Sequence, residues 1–189
     1  CRRSRERPCM RIIPALIALA VITAPAAAFP AVGDKAPAVA GADINGKTRT
    51  LQQLAGRKGT VLIFFRSASW CPFCKAQLIA MNDKAAEGLA SRGYALVGLS
   101  YDSPEVLAKF AAERKVSWPL LSDPQSRVID GWQLRDPAYP AGNRAFGVPL
   151  ASVYVIDRKG IIRARLMETN FRVRPQPEAV LAAVDALGQ

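Results

Sequence analysis

The sequence predicts an α/β fold, a mixed central sheet with helices packed on both of its faces. Three observations carry this. Two continuous apolar runs, TVLIFF at 60–65 and YALVGLS at 94–100, read as strands covered on both sides, because a half-exposed strand alternates and a fully covered one does not. A helical pattern lies between them. A strand pair and a closing helix follow, so the order is βαβ…ββα, and right-handed crossovers place that order in one sheet.

Each element has its own signal. VAGADINGKTRTL, 39–51, reads as a hairpin turning at Asn45-Gly46, a pair suited to a tight two-residue turn. After TVLIFF the spacing of Leu78, Met81, Ala85 and Leu89 predicts one helix running to Arg92, stopped by Gly93. Ser103-Pro104-Glu105 opens the next helix, with Ser as cap, Pro in the first turn and Glu against the dipole. WPLLSD, 118–123, reads as a short strand and QSRVIDGWQL as a short helix. Residues 134–147 are a Pro- and Gly-rich loop. ASVYVID, 151–157, and IIRARLM, 161–167, flank Arg158-Lys159-Gly160 as a second hairpin, and PEAVLAAVDAL, 177–187, is the closing amphipathic helix.

The 189 residues, half of them hydrophobic, suit one globular domain preceded by a leader. Arg2, Arg3, Arg5, Arg7 and Arg11 form a basic start, followed by the uncharged IIPALIALAVITA and then PAAAFP. That order is a secretory signal, expected to be cleaved after Ala28 and naturally begun at Met10. The domains are therefore 1–28 leader and 29–189 folded domain. The destination is outside the cytoplasm, the periplasm for a bacterial chain. The apolar run is short of the roughly 20 residues of a spanning helix, so no stable membrane span is expected after processing.

Processing changes the charge and the cysteine count. The chain holds 26 basic and 15 acidic residues, net +11. The leader takes five Arg and Glu6, leaving net +7, dispersed and without interleaved aromatics. A solvated basic surface follows rather than a nucleic-acid site. Cys1 and Cys9 go with the leader, so only Cys71 and Cys74, in WCPFC, remain.

Three chemistries are open to a CxxC pair. A closed zinc site wants four Cys or His ligands, and there is no histidine and no second CxxC. The missing histidine also removes any triad-type base. A structural staple gains little from so short a loop. A redox dithiol fits best. Cys71 stands where a buried strand gives way to a helix, and the partial positive charge and unpaired N–H groups there favour a thiolate. Cys71 is thus the expected nucleophile. Cys74, one turn on and within disulfide reach, is the resolving thiol. Pro72 suits the first helical position. Trp70, Phe73 and Arg66 are candidates to shape the site, and Lys75 stands close enough in sequence to add positive charge.

FFRSASWCPFCKAQL, LVGLSYDSPEVLAKFA, PLLSD and GVPLASVYVIDRKGIIRARL together resemble the redoxin group of the thioredoxin-like superfamily, most nearly its AhpC/TSA (alkyl hydroperoxide reductase and thiol-specific antioxidant) or peroxiredoxin-like proteins. The resemblance spans roughly residues 31–188. It implies a thioredoxin-like three-layer fold with an N-terminal β-hairpin extension. It also implies thiol chemistry on peroxides or protein disulfides, sustained by an external thiol reductant, with no cofactor.

The chain departs from that pattern in places. The family's Thr-x-x-Cys motif, aligned here, puts Cys74 at the peroxide-reactive position and Cys71 at the Thr. The family's later Arg, and the cis-proline of thioredoxins, both fall on Ala151; Pro149 is the nearest proline. Phe65 takes the place of the buried Asp of thioredoxins. Asp102 and Asp157 are the candidate replacements, reading more simply as a loop cap and a turn residue. Two functions compete: a thiol oxidoreductase cycling Cys71–Cys74, and a non-enzymatic binding module that keeps the fold with the pair as a staple.

Overall fold

The computed structural model describes residues 28–168, 170 and 172–188. The expected leader, apart from Ala28, lies outside them. The strands are β1 (Ala40–Ala42), β2 (Thr48–Thr50), β3 (Gly59–Phe64), β4 (Tyr94–Ser100), β5 (Leu120–Ser122), β6 (Ser152–Asp157) and β7 (Ile162–Met167). The helices are α1 (Leu51–Leu54), α2 (Pro72–Lys84), α3 (Ala86–Ser91), α4 (Pro104–Arg114), α5 (Arg127–Gly131) and α6 (Pro177–Asp185).

All seven strands join one sheet in the order β2-β1-β5-β4-β3-β6-β7. β4 runs parallel to β3 and to β5. β6 is antiparallel to both β3 and β7. The N-terminal hairpin is present, and β1 pairs antiparallel with β5 and so extends the same sheet. Its turn is closed by Asp43, whose Oδ1 accepts from the N–H groups of Asn45 and Lys47, while Gly46 takes a positive φ of 77°.

Period-two alternation divides the core into two layers. From β3 onward, Val61, Ile63 and Phe65 face one layer, with Val153 and Val155 of β6 beside them. Leu62 and Phe64 face the other, with Tyr154 and Ile156. The first layer is covered by α2, α3, α4 and α6, and it contains both Cys71 and Cys74. The second centres on Trp132, whose ring centroid lies 5.0 Å from Phe64 and 4.8 Å from Tyr154. The dithiol therefore belongs to the larger helical layer.

Gly98 marks a close approach in the middle of the sheet. A Cβ there would lie 2.8 Å from Leu120 Cδ2 and 3.1 Å from both Phe65 Cε1 and Trp118 Cζ3. The missing side chain is what lets Phe65 and Trp118 close over β4. Gly98→Ala is expected to destabilise the fold by about 1–3 kcal/mol through overpacking. A urea midpoint equal to the unsubstituted protein's would show that these rings can swing aside.

Two elements differ from the sequence reading. The helix expected to reach Arg92 breaks at Ala85, whose φ of −124° leaves the helical well; α3 then continues and presses Gly88 against Leu181 of α6. Leu78, Met81, Ala85 and Leu89 are all fully buried nonetheless, because the bend keeps one face on the core. The single turn α1 is additional. Thr50 and Gln53 make a reciprocal capping box there, which stabilises a turn too short to show hydrophobic periodicity. Ser103 caps α4 as expected.

Candidate active site

The site grows from the end of β3. The strand's ladder stops at Phe64, yet Phe65 and Arg66 stay buried. Residues 67–70 then turn the chain into α2. Cys71 is the N-cap residue, with extended backbone angles, and Pro72 occupies the first turn. The Cys74 N–H, which no helical carbonyl can reach at this end, donates to Cys71 Sγ at 3.2 Å. A thiolate at Cys71 would hold the same bond more strongly, since charge shortens and strengthens it.

Cys71 and Cys74 are joined as a disulfide with their Cα atoms 5.3 Å apart. The bridge forms within the first turn and α2 stays intact around it. Cys71 is 3% exposed and Cys74 is fully buried. An incoming reagent thus meets Cys71 first.

The 67–70 turn is pinned from below by Asp102, just after β4. Its carboxylate accepts from Ser67 Oγ at 2.8 Å, the Ala68 N–H at 2.7 Å and Ser100 Oγ at 3.0 Å. Ser67 Oγ in turn accepts from the N–H groups of Ser69 and Trp70 at 2.9 and 3.3 Å. Burial pushes the Asp102 carboxyl above its ordinary value, and these three donors act against that rise. Asp102 is therefore a loop anchor. Asp157 closes the β6–β7 turn, accepting from the Lys159 and Ile161 N–H groups.

A residue with no signal near the motif completes the site. Arg174, from the segment before α6, places Nη2 3.6 Å from Cys74 Sγ and 3.9 Å from Cys71 Sγ. It is only 6% exposed. Burial and the nearby Arg66 together lower its pKa to about 10, so it remains a cation at neutral pH. The segment is tied to α2 by Gln77, whose Nε2 donates to the Pro175 carbonyl at 3.4 Å. Arg66 is buried at 4%, its guanidinium 5.3 Å from the Trp70 ring centroid and 4.7 Å from that of Tyr139.

The other sequence candidates fall at varied distances from the sulfurs. Trp70 is half-buried and donates Nε1–H to Tyr101 Oη at 2.9 Å, so it both packs and walls the site. Phe73 is exposed and borders a groove of about 450 Å³ between α2 and residues 172–177. Lys75 turns toward the Ser69 carbonyl, 3.0 Å away. Pro149 is buried and bridges Arg135 in the 134–150 turn, and no peptide bond among the described residues is cis. Also among the described residues, no group of three or more His, Cys, Asp or Glu converges as a metal site.

The sequence model of the AhpC/TSA family matches residues 32–165, most of the described chain. The chain belongs to the AhpC/TSA family. A peroxiredoxin-type protein of Mycobacterium tuberculosis is 34% identical over 130 residues, covering 69% of this chain and 80% of that one. Peroxiredoxin Bcp of Escherichia coli K12 is 32% identical over 98 residues, 52% of this chain and 61% of that one. The crystal structure of peroxidoxin BcpB from M. tuberculosis superposes with a TM-score of 0.73 at 24% identity, over 84% of this chain and 98% of that one. This AhpC/TSA protein is accordingly a peroxiredoxin-like oxidoreductase with a thioredoxin-like fold, and its CxxC stands on the helix start that the fold provides.

Proposed function

We propose that the protein is an exported thiol oxidoreductase that cycles Cys71–Cys74 between dithiol and disulfide while reducing peroxides or protein disulfides. The observation that carries this is the pair itself: Cys71 caps α2, the Cys74 N–H donates to its sulfur, and a buried arginine touches both sulfurs. With a peroxide, the Cys71 thiolate attacks one oxygen, the O–O bond breaks, and water or an alcohol leaves. Cys74 then attacks the sulfenic sulfur, the S–O bond breaks, the hydroxyl leaves as water and the disulfide forms. With a protein disulfide, Cys71 forms a mixed disulfide that Cys74 resolves. An external thiol restores the dithiol in either case.

Stopped-flow oxidation of the reduced protein by hydrogen peroxide, followed through tryptophan fluorescence, tests the peroxide branch; Trp70 adjoins Cys71 and reports on it. Oxidation orders of magnitude faster than a free thiol supports a peroxidase. Oxidation at the free-thiol rate leaves disulfide exchange as the function. The staple reading draws support from the burial of both sulfurs, and it requires a reduction potential below about −300 mV. Export rests on the leader pattern, and a mature N-terminus far from Phe29 would remove it.

A further inference from the structure

We infer that the end of the sheet opposite the dithiol carries a second binding site, a pocket for a phosphate monoester with a short apolar body, formed by Thr60, Arg158 and Lys159. It does not depend on the redox reading of Cys71–Cys74. The pocket holds about 340 Å³ between α1 and the β6–β7 turn, within the range of about 300–1,000 Å³ typical of small-ligand sites. Thr60 stands near the start of β3 and the cysteines follow its end, so the length of the strand separates the two places.

The floor comes from paired strands. Thr60 lies opposite Ile156 in the β3–β6 ladder, and Leu51 and Ala55 close the apolar side. Thr60 is only 2% exposed, and its hydroxyl makes no hydrogen bond among the described residues. A buried hydroxyl without a partner has given up the hydrogen bonds that water offers. Here it borders a cavity from which a ligand can restore one. The rim is cationic. Arg158 reaches toward α1 and donates Nη1–H to the Ala55 carbonyl at 3.4 Å, and Lys159 lines the pocket beside it. Lys35 adjoins the same turn: its Nζ donates to the Lys159 carbonyl, and a Cβ at Gly160 would lie 3.0 Å from that Nζ.

One carboxylate also lines the pocket, that of Asp157. It is taken up within its own turn, accepting from the Lys159 and Ile161 N–H groups and from Arg163. Arg57 and Lys58 stand just before Gly59, which pairs with Asp157, so the charge at this end of the sheet is predominantly positive. The chemistry of the ligand follows from these groups. A guanidinium fork matches two phosphate oxygens and an ammonium adds a point charge. A monoester, with nearly two negative charges at neutral pH, suits that pair. Its carbon body covers Leu51 and Ile156, and one of its oxygens takes the Thr60 O–H. Inorganic phosphate engages the cations but leaves the apolar floor bare.

The test is calorimetric titration of the full protein with phenyl phosphate and with inorganic phosphate at fixed ionic strength, repeated on Thr60→Val, Arg158→Gln and Lys159→Gln. Phenyl phosphate is expected to bind at least about tenfold more tightly than inorganic phosphate, because its ring covers the apolar floor. Arg158→Gln should weaken it about tenfold through the lost charge-assisted pair, and Lys159→Gln by less. Thr60→Val keeps the shape of the side chain, removes only the hydroxyl and should weaken binding about fivefold. Sedimentation with vesicles containing phosphatidic acid separates two sources of the same group. Pelleting that Arg158→Gln and Thr60→Val abolish assigns the phosphate to a lipid head, and phenyl phosphate binding without pelleting assigns it to a soluble ester; either supports the site. Phenyl phosphate binding no tighter than inorganic phosphate would overturn it. So would folded Thr60→Val and Arg158→Gln proteins that bind phenyl phosphate within about twofold of the unsubstituted chain, a change smaller than one lost hydrogen bond. Pelleting that both variants leave unchanged would assign the attraction to the basic surface at large and overturn the pocket as well.

Discussion

Cys71→Ser is expected to abolish turnover with peroxide and with disulfide substrates alike, a loss on the order of a thousandfold or more, as removal of a covalent nucleophile produces. The fold should survive, because serine retains the N-cap geometry and can accept from the Cys74 N–H. Cys74→Ser should behave differently. Its Cys71 still attacks but nothing resolves the product, so a mixed disulfide with the reductant or a persistent sulfenic acid accumulates and is visible by mass spectrometry. If Cys74→Ser loses first attack and Cys71→Ser keeps it, the roles are reversed. Cys74 would then be the peroxide-reactive thiol, in keeping with its place in the aligned Thr-x-x-Cys motif and against the exposure of the two sulfurs.

The second large effect concerns Asp102, 31 residues beyond Cys71 and outside the motif. Asp102→Ala removes the shared acceptor of Ser67 Oγ, the Ala68 N–H and Ser100 Oγ, all buried. The hydroxyls can rotate toward other acceptors and the amide cannot, so the expected loss is about 2–4 kcal/mol of folding stability. Asp102→Asn keeps an acceptor oxygen and carries no charge to desolvate, so it should cost little at acid pH and become more stable than the unsubstituted protein as pH rises. The direction with pH follows from linkage. The folded carboxyl titrates above its ordinary 3.8, so between these two values the folded state binds more protons than the unfolded chain. The contribution of Asp102 is therefore most favourable at acid pH and falls as pH rises through that window. Urea midpoints for the unsubstituted protein and Asp102→Asn, taken from about pH 4 to 7, should converge toward acid pH and separate upward. Parallel curves would show that the carboxyl is not desolvated as its surroundings imply.

Much of the architecture was legible because it rests on local patterns. TVLIFF and YALVGLS are covered on both faces, so burial writes itself as an unbroken apolar run, and both became the central parallel strands. Ser103 with Pro104, and Cys71 with Pro72, announce helix starts through the needs of unpaired N–H groups at fixed offsets. The break at Ala85 had no such sign, since no Gly or Pro stands there and the same face stays buried on either side of it. The single turn α1 was missed because four residues cannot show a period, although Thr50 and Gln53 carried its capping box in plain view.

The site divides in the same way. By itself the sequence singled out the cysteine pair that the structure joins as a disulfide, because the CxxC spacing, the helix start and the missing histidine are properties of adjacent residues and of composition. Only the tertiary structure decided what surrounds the sulfurs. Arg174 lies 103 positions from Cys71 and 100 from Cys74, and no local rule relates a loop residue before α6 to the first turn of α2. The packing of α6 and its preceding segment on α2, fixed by buried surface and the Gln77 bond to Pro175, brings them together. The same holds for Asp102 beneath the 67–70 turn and for Arg66 against Tyr139. Contacts of this kind follow from how strands are ordered in the sheet and which helices cover which face, so they are set by the whole chain at once rather than by any stretch of it.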